Sequence, residues 1–435
     1  MNIAIVGFGA EGKSNLEYYR RKFPRANFTI FDERNNLENT PDNVEVILGA
    51  DAFSKIQNFD LVLRSAGVAP HKISQESNIW SSTREFFEKC PAPIIGVTGT
   101  KGKGTVSSFI AEILRAAGKT AHLVGNIGVP SLEILPQIKP SDIVVYEVSS
   151  FQLWDLEKSP HVAVLTLIEP DHLDVHKNLM DYHMAKAQIF RYQNDKDVAV
   201  YNIDDVLVRE IALTAVDKTG AIPKPFLNKK FTHIEQRKFY YSDAEVAPVS
   251  VVKLPGEHNL RNAAAAINAV WDVIDGDVDA IARGLANFDG LPHRLKFVRE
   301  VGGVKFYNDS IATTPGSVSA AMKAFDSPKI LILGGKDKGA DYRELGEEIN
   351  QGNVRMIVAI GENRSKIIAQ LQTVSDVEIH ELDTKLMPEI VEFASQNSMP
   401  GDIVILSPAA SSFDMFKNYQ DRGEQFVSAV NSLEN

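Results

Sequence analysis

The chain has 435 residues, 44% of them hydrophobic and 24% charged, with a formal net charge of −11. That length suggests about two to four domains, and the composition an ordinary soluble globular protein; the acidic balance leaves no electrostatic footprint for nucleic acid but leaves room for a small anionic substrate. A single cysteine, Cys90, excludes an internal disulfide framework and fits a reducing cytoplasm, and no apolar run reaches the roughly 18 residues of a membrane span.

The opening M-N-I-A-I-V-G carries no signal-peptide pattern. Residues 3–6 form a buried-strand run, followed by G-F-G-A-E-G at 7–12 and a helical stretch to about Lys22. A second strand over 28–31 ends at Asp32. This βαβ opening has G-x-G-x-x-G spacing and an acid roughly 20 residues on, the pattern that seats a diphosphate on a helix N-terminus. Glu33 beside Asp32 suits uracil as well as ribose, so the loop by itself fits more than one nucleotide. Strand runs recur at 44–48 and at Leu61–Arg64, and Pro91-Ala92-Pro93 reads as an extended linker against which Cys90 packs.

The next stretch, I-I-G-V-T-G-T-K-G-K-G-T at 94–105, is the most informative. Apolar Ile94, Ile95 and Val97 meet a glycine-rich turn carrying Lys103 and Thr105, and a helix is expected over 106–117 with Gly118 closing it. Glycines at 99, 102 and 104 let backbone N–H groups converge on phosphate oxygens. The helix N-terminus adds partial positive charge, Lys103 a full charge, and Thr105 a hydroxyl for Mg2+. The strict pattern wants Gly at 97 and Ser or Thr at 104, where this chain has Val and Gly. The glycine signature at 7–12 alone would suggest a dinucleotide-binding dehydrogenase, which has no need of this second phosphate loop.

Unalternating β-branched runs at 143–148, 162–168 and 198–203 suit a parallel sheet covered on both faces. Glu147 closes the first of these, placed either to hold Mg2+ or to cap the following loop. Asp171-His172-Leu173-Asp174 follows the second, where His172 is either a metal ligand or a structural histidine. Residues 231–241 read as an antiparallel edge piece, and 262–274 as an Ala-rich helix opened by H-N-L-R-N, whose asparagine reads a base edge or caps the helix. A hairpin over 296–307 turning at Gly302-Gly303 begins a third block. Its strands are expected at 330–333, 356–360, 377–382 and 403–406, with helices at 317–325 and 387–395. The expected division is therefore 1–90, 91–290 and 291–435: an α/β chain of two Rossmann-like sheets flanking a central nucleotide-binding parallel sheet.

In order, the motifs G-F-G-A-E-G, S-A-G-V, T-G-T-K-G-K-G-T, G-N-I-G-V-P, E-V-S-S-F-Q-L, D-H-L-D, M-A-K, G-E-H-N-L-R-N, L-P-H-R, N-D-S, L-G-G-K-D-K and S-P-A-A-S-S-F-D-M-F run nearly the full length. Their order resembles the Mur ligase family of peptidoglycan synthesis, most closely its D-glutamate-adding branch. The resemblance implies ATP and Mg2+ as cofactors. It implies UDP-N-acetylmuramoyl-L-alanine and glutamate as small-molecule substrates, an acyl-phosphate intermediate, and a cytoplasmic monomer with no nucleic-acid or membrane partner. It assigns Gly99, Thr100, Lys101, Gly102, Lys103, Gly104, Thr105, Asn259, Arg294 and Asp309 to ATP. Gly9, Asp32, Glu33, Ser65, Asn126, Ser149 and Gln152 fall to the UDP substrate; Lys338, Ser412 and Phe416 fall to the incoming glutamate. Lys103, Glu147, His172 and Lys186 become catalytic, with Thr105, Glu147, His172 and a carbamylated Lys186 around metal.

Three departures from the family pattern stand out. Gly104 replaces the usual hydroxyl residue, as in the more distant folate polyglutamate ligases, which lack the N-terminal nucleotide domain. Leu167 stands where Asn is usual, and Ile311 where the D-glutamate branch generally has lysine. A branch adding L-glutamate shares an N-D-S-I segment, so L-glutamate is the alternative acceptor. A nucleotide-binding regulatory protein without chemistry is the alternative of another class, and Glu147, His172 and Lys186 together speak against it.

Overall fold

The computed structural model describes all residues except 38–39, 74–77, 128–129, 172–174, 372–373, 375–376 and 435. It divides into two compact units. One comprises Met1–Val252 with His258–Phe288, the other Lys253–Glu257 with Asp289–Asn435.

The first unit begins with a five-stranded parallel sheet, β1 (Asn2–Val6), β2 (Asn27–Asp32), β3 (Glu45–Leu48), β4 (Leu61–Arg64) and β5 (Ile79–Ser81), in the order β3-β2-β1-β4-β5. The order reverses between β1 and β4. The turn after β1 and the Ser65–Val68 turn after β4 therefore flank one crevice, where α/β sheets take their ligands. The helix Ala10–Lys22 follows β1 as expected.

Its second sheet is also parallel: β6 (Ile94–Thr98), β7 (Ala121–Gly125), β8 (Ile143–Glu147), β9 (Val162–Leu165), β10 (Val198–Asn202) and β11 (Ile222–Phe226), ordered β11-β10-β9-β6-β8-β7. Strands β6, β8 and β9 are buried throughout, as their unalternating apolar sequences require when helices cover both faces. Since β6 lies between β8 and β9, the ends of these three strands bring the phosphate loop, Glu147 and the segment after Leu165 together. Tyr146 packs its ring 5.3 and 5.2 Å from Phe86 and Phe87 of the helix Ser82–Lys89, joining the two sheets through one core. Each buried ring of this kind contributes on the order of 2 kcal/mol.

Two local expectations change. The helix after β6 begins at Lys103, not 106, and runs to Ala116, because Gly102 takes the left-handed conformation (φ 84°) at its N-cap. The antiparallel piece near 231–241 is no edge of the parallel sheet. With β12 (Thr232–Glu235), β13 (Lys238–Tyr241) and β14 (Ala244–Pro248) it forms a sheet of its own. The Ala-rich helix spans Glu257–Val270, ahead of a 3-10 turn at Trp271–Ile274.

The second unit carries a six-stranded sheet: β15 (Lys296–Val301), β16 (Val304–Asn308), β17 (Lys329–Gly334), β18 (Val354–Ile360), β19 (Glu378–Glu381) and β20 (Ile403–Leu406). Its order is β15-β16-β20-β17-β18-β19, with β15 the antiparallel edge of an otherwise parallel sheet. The expected hairpin is present. Among the described residues, no helix is long and apolar enough to cross a membrane.

Candidate active site

The phosphate loop is braced from the neighbouring strand. Thr166 donates through Oγ1 to the Lys101 carbonyl at 2.7 Å, and Thr100 N–H donates to the Leu167 carbonyl at 2.8 Å. A side chain at position 99 would lie 1.9 Å from Thr166 Oγ1, and one at 102 would lie 2.5 Å from Asn262 Oδ1. Only glycine lets the loop pass so close to both neighbours. Asn262 also donates to Asn259 Oδ1 at 3.2 Å, so the helix Glu257–Val270 lays its first turn beside the loop. Asn259 lies inside that turn rather than at its cap, which removes the capping alternative.

Two lysines converge on one loop carbonyl. Lys103 Nζ donates to Gly99 O and Thr100 O, each at 3.0 Å; Lys186 Nζ donates to Gly99 O at 2.7 Å. Lys186 comes from the helix Leu179–Arg191 and is 2% exposed. Burial, and then the charge of Lys103, push its amine well below the usual lysine range, against the opposing charges of Asp171 and Glu147. Glu147, buried at the end of β8, accepts from Asn126 Nδ2 at 2.9 Å, while its carbonyl accepts Asn126 N–H at 3.0 Å. Thr105 is buried in the first helical turn. His172 lies outside the described residues, and among those described no group of three His, Cys, Asp or Glu residues could hold a metal ion. The donors near the loop are oxygens, among them the Glu147 carboxylate and the Thr105 hydroxyl. That suits Mg2+, which keeps several waters and takes phosphate oxygens as ligands.

Over the first glycine turn lies a cavity of about 480 Å3, lined by Gly9, Lys13, Arg34 and Asn36 among others. Asp32 turns its carboxylate to the turn itself, accepting Phe8 N–H at 2.7 Å, and pairs with Arg34. The Arg34 guanidinium and the Phe8 N–H hold its pKa down to about 2. Glu33 pairs with Lys72 at 2.8 Å on the surface. Ser65 donates to the Gly7 carbonyl at 2.7 Å. Ser149 and Gln152 form a reciprocal capping box on the short helix Ser150–Leu153, each side chain bonded to the other's backbone N–H.

In the second unit, Arg294 lies between His293 and Leu295, two residues with positive φ (60° and 42°). Asp309 closes the turn after β16, accepting Leu295 N–H at 3.0 Å and Ser407 Oγ–H at 2.8 Å. Burial pushes its carboxyl up to about 7 despite these bonds and the Arg294 charge. Ile311 follows, its N–H bonded to the His293 carbonyl at 3.1 Å. Arg422 is fully buried and spends its donors on Ser310 Oγ, Ser310 O and Ala410 O. Lys338 holds its Nζ 5.9 Å from the Phe413 ring centre, and Phe413 is 66% exposed. Ser412 is buried, and Phe416 belongs to the hydrophobic core of this sheet.

Residues 97–270 match the Mur ligase middle domain and 293–410 the Mur ligase glutamate ligase domain. A protein of Acetivibrio thermocellus named UDP-N-acetylmuramoylalanine–D-glutamate ligase is 37% identical, the match covering 99% of this chain and 96% of the relative. One of the same name from Clostridium tetani is 35% identical with equal coverage. The chain belongs to the Mur ligase family. Solved structures agree at the level of fold. UDP-N-acetylmuramate-alanine ligase MurC from Thermotoga maritima superposes with a TM-score of 0.61 at 17% identity over 99% of both chains. MurF from the same organism, in complex with ADP, gives 0.59 at 17% identity over 98% of this chain and 93% of its own.

Within this Mur ligase the middle-domain match takes in the phosphate loop, Glu147, Lys186 and Asn259; the glutamate-ligase match takes in Arg294, Asp309 and Lys338. Ser412 and Phe416 lie past the second match, and the whole first sheet precedes the first. Sequence reasoning passed over Lys13 and Arg34. Both carried a signal: one sits a residue past the G-x-G-x-x-G turn, the other two residues past Asp32. It also passed over His176, buried between Asp181 and Ser150 at 2.9 and 3.0 Å, and over Arg422, whose partners are distant in sequence.

Proposed function

We propose that this Mur ligase joins D-glutamate to UDP-N-acetylmuramoyl-L-alanine at the expense of ATP; relatives matched over 99% of the chain carry the name UDP-N-acetylmuramoylalanine–D-glutamate ligase. The observation that carries the chemistry is the phosphate loop with two lysines on one carbonyl and a buried carboxylate at the adjoining strand end. An oxygen of the alanyl carboxylate attacks the γ-phosphorus of ATP and ADP leaves, giving an acyl phosphate. The glutamate amine then attacks that carbonyl, phosphate leaves, and the nitrogen loses its proton.

Lys103 supports this chemistry by placing a cation among the phosphates, where two anions must meet. Thr105 and Glu147 are the residues that would hold Mg2+, and a bound Mg2+ supplies charge neutralisation between triphosphate and carboxylate. Lys186 joins them once its amine has taken up CO2 as a carbamate and lost a proton. Burial beside Lys103 favours the neutral amine that this step needs. Arg294, Asn259 and Asp309 are assigned to the nucleotide, Lys338 and Ser412 to glutamate, and Gly9, Ser65, Asn126, Ser149 and Gln152 to the UDP substrate. Asp32 serves that substrate through the turn it anchors, with Lys13 and Arg34 facing the diphosphate. Three domains at 1–90, 91–290 and 291–435, a monomeric state and a cytoplasmic setting complete the reading.

The test is phosphate release from ATP and UDP-N-acetylmuramoyl-L-alanine with D-glutamate and, separately, L-glutamate. Release with D-glutamate is expected. Release with L-glutamate alone transfers the assignment to the alternative acceptor and points to Ile311; release with neither defeats the ligase reading.

A further inference from the structure

Arg64 ends β4 and is fully buried, yet its partners come from two different sheets. Its Nε and Nη2 grip Asp155 at 3.0 and 2.9 Å as a bidentate pair. Nη2 also donates to the Phe151 carbonyl at 3.0 Å, inside the short helix Ser150–Leu153 beyond β8. Nη1 turns the other way and donates to the Val68 carbonyl at 2.8 Å, closing the Ser65–Val68 turn of the first sheet. Ser81, from the end of β5, adds its hydroxyl to Asp155 at 3.3 Å. The far side of the same turn is held by Ser65 Oγ on the Gly7 carbonyl and by Glu11, which accepts Ala66 N–H at 2.7 Å.

We infer that Arg64 is a positioning residue for the UDP-muramoyl substrate, fixing the Ser65–Val68 turn of the first sheet against the Ser149–Gln152 segment of the second. A planar, five-donor guanidinium is suited to this: it satisfies a carboxylate bidentately and still reaches carbonyls on both sides, which an ammonium cannot do. Substrate residues that straddle two sheets need their spacing set before binding, since a shift of about 1 Å is costly to a reaction that depends on alignment. Asp155 completes the device by fixing the plane of the guanidinium. The inference rests on the assignment of Ser65, Ser149 and Gln152 to the UDP substrate.

The full-length protein carrying Arg64→Lys, and separately Asp155→Asn, tests it by steady-state kinetics with each of the three substrates varied in turn. The expected result is a rise of about tenfold or more in KM for UDP-N-acetylmuramoyl-L-alanine, with KM for ATP and D-glutamate within about twofold. The double variant should be less impaired than the product of the single effects, because both changes break one interaction. An unchanged UDP-substrate KM in either soluble variant overturns the proposal. So does an equal rise in all three KM values with a fall in thermal stability, which marks Arg64 as a general prop. If Arg64→Lys does not fold, Asp155→Asn decides, since it keeps the shape and removes only the charge. A wild-type protein that turns over but takes no UDP-muramoyl substrate defeats the underlying assignment instead, which separates the two failures.

Discussion

The turns at 7–12 and 99–104 both follow a buried parallel strand and both open a helix, yet their charges are arranged in opposite ways. At the first, Asp32 and Arg34 neutralise each other beneath an open cavity, and Lys13 stands at the rim. At the second, Lys103 and Lys186 crowd one carbonyl, with the compensating carboxylate of Glu147 buried nearby. Binding a diphosphate needs only complementary charge around a pre-formed turn. Activating a carboxylate with ATP needs cations held where charge develops, in a place from which water is excluded. On the proposed function, the same strand-turn-helix serves recognition in one sheet and chemistry in the next.

The largest expected effect tests that division directly. Lys103→Ala should lower kcat about a thousandfold while leaving the dissociation constant for the UDP substrate within about twofold. An equal loss of UDP-substrate binding, measured by calorimetry, would show that the two turns are not separate sites. Lys186→Met, nearly isosteric, should lower kcat about a hundredfold or more if the lysine carries a carbamate. Wild-type activity should also fall when the assay is stripped of CO2 and bicarbonate and recover when bicarbonate returns. Insensitivity to bicarbonate would mean that Lys186 acts as the free amine, without a carbamate.

How much of this was legible beforehand follows from where each signal is local. Strands β6, β8 and β10 are largely apolar runs rich in Val and Ile without polar alternation, so their positions were plain, as were both glycine turns. Strand β11 was not, because I-P-K-P-F places prolines at 223 and 225; it survives as an edge strand, where missing N–H donors cost little. The polar assignments were less legible. Nothing in the sequence distinguishes Phe413, exposed beside Lys338, from Phe416, buried in the core three residues on. Arg64 meets Asp155 across 91 residues, a pairing set by how two sheets pack and not by any spacing. Lys186 became a candidate through family resemblance alone; its buried place on the Gly99 carbonyl is a tertiary fact.

At the recognition turn the effects should be smaller and confined to binding. Lys13→Met should raise KM for the UDP substrate about tenfold, the loss of one charge-assisted contact to a phosphate oxygen, with kcat retained. A fall in kcat without a change in KM would place Lys13 in the chemistry and blur the contrast between the two turns.

The smallest effect concerns stability and isolates the Asp32–Arg34 pair. Arg34 and the Phe8 N–H hold the Asp32 carboxyl down to about 2, below the usual value of 3.8. A lowered native pKa means the folded state favours the ionised form, so the stabilisation is complete above about pH 4 and is lost as pH falls through about 2. Since Arg34 is more than half exposed, screening limits the contribution to about 1 kcal/mol. Asp32→Asn should therefore be less stable than the wild type by about that amount at pH 7 in urea denaturation, and the gap should narrow below pH 4. It should persist in high salt only to the extent that the Phe8 N–H bond, not the ion pair, supplies it. A gap that stays constant with pH would mean that the carboxylate's charge is not what holds the turn. The same substitution should leave KM for ATP within about twofold while KM for the UDP substrate rises, because Asp32 anchors the first turn through the Phe8 N–H.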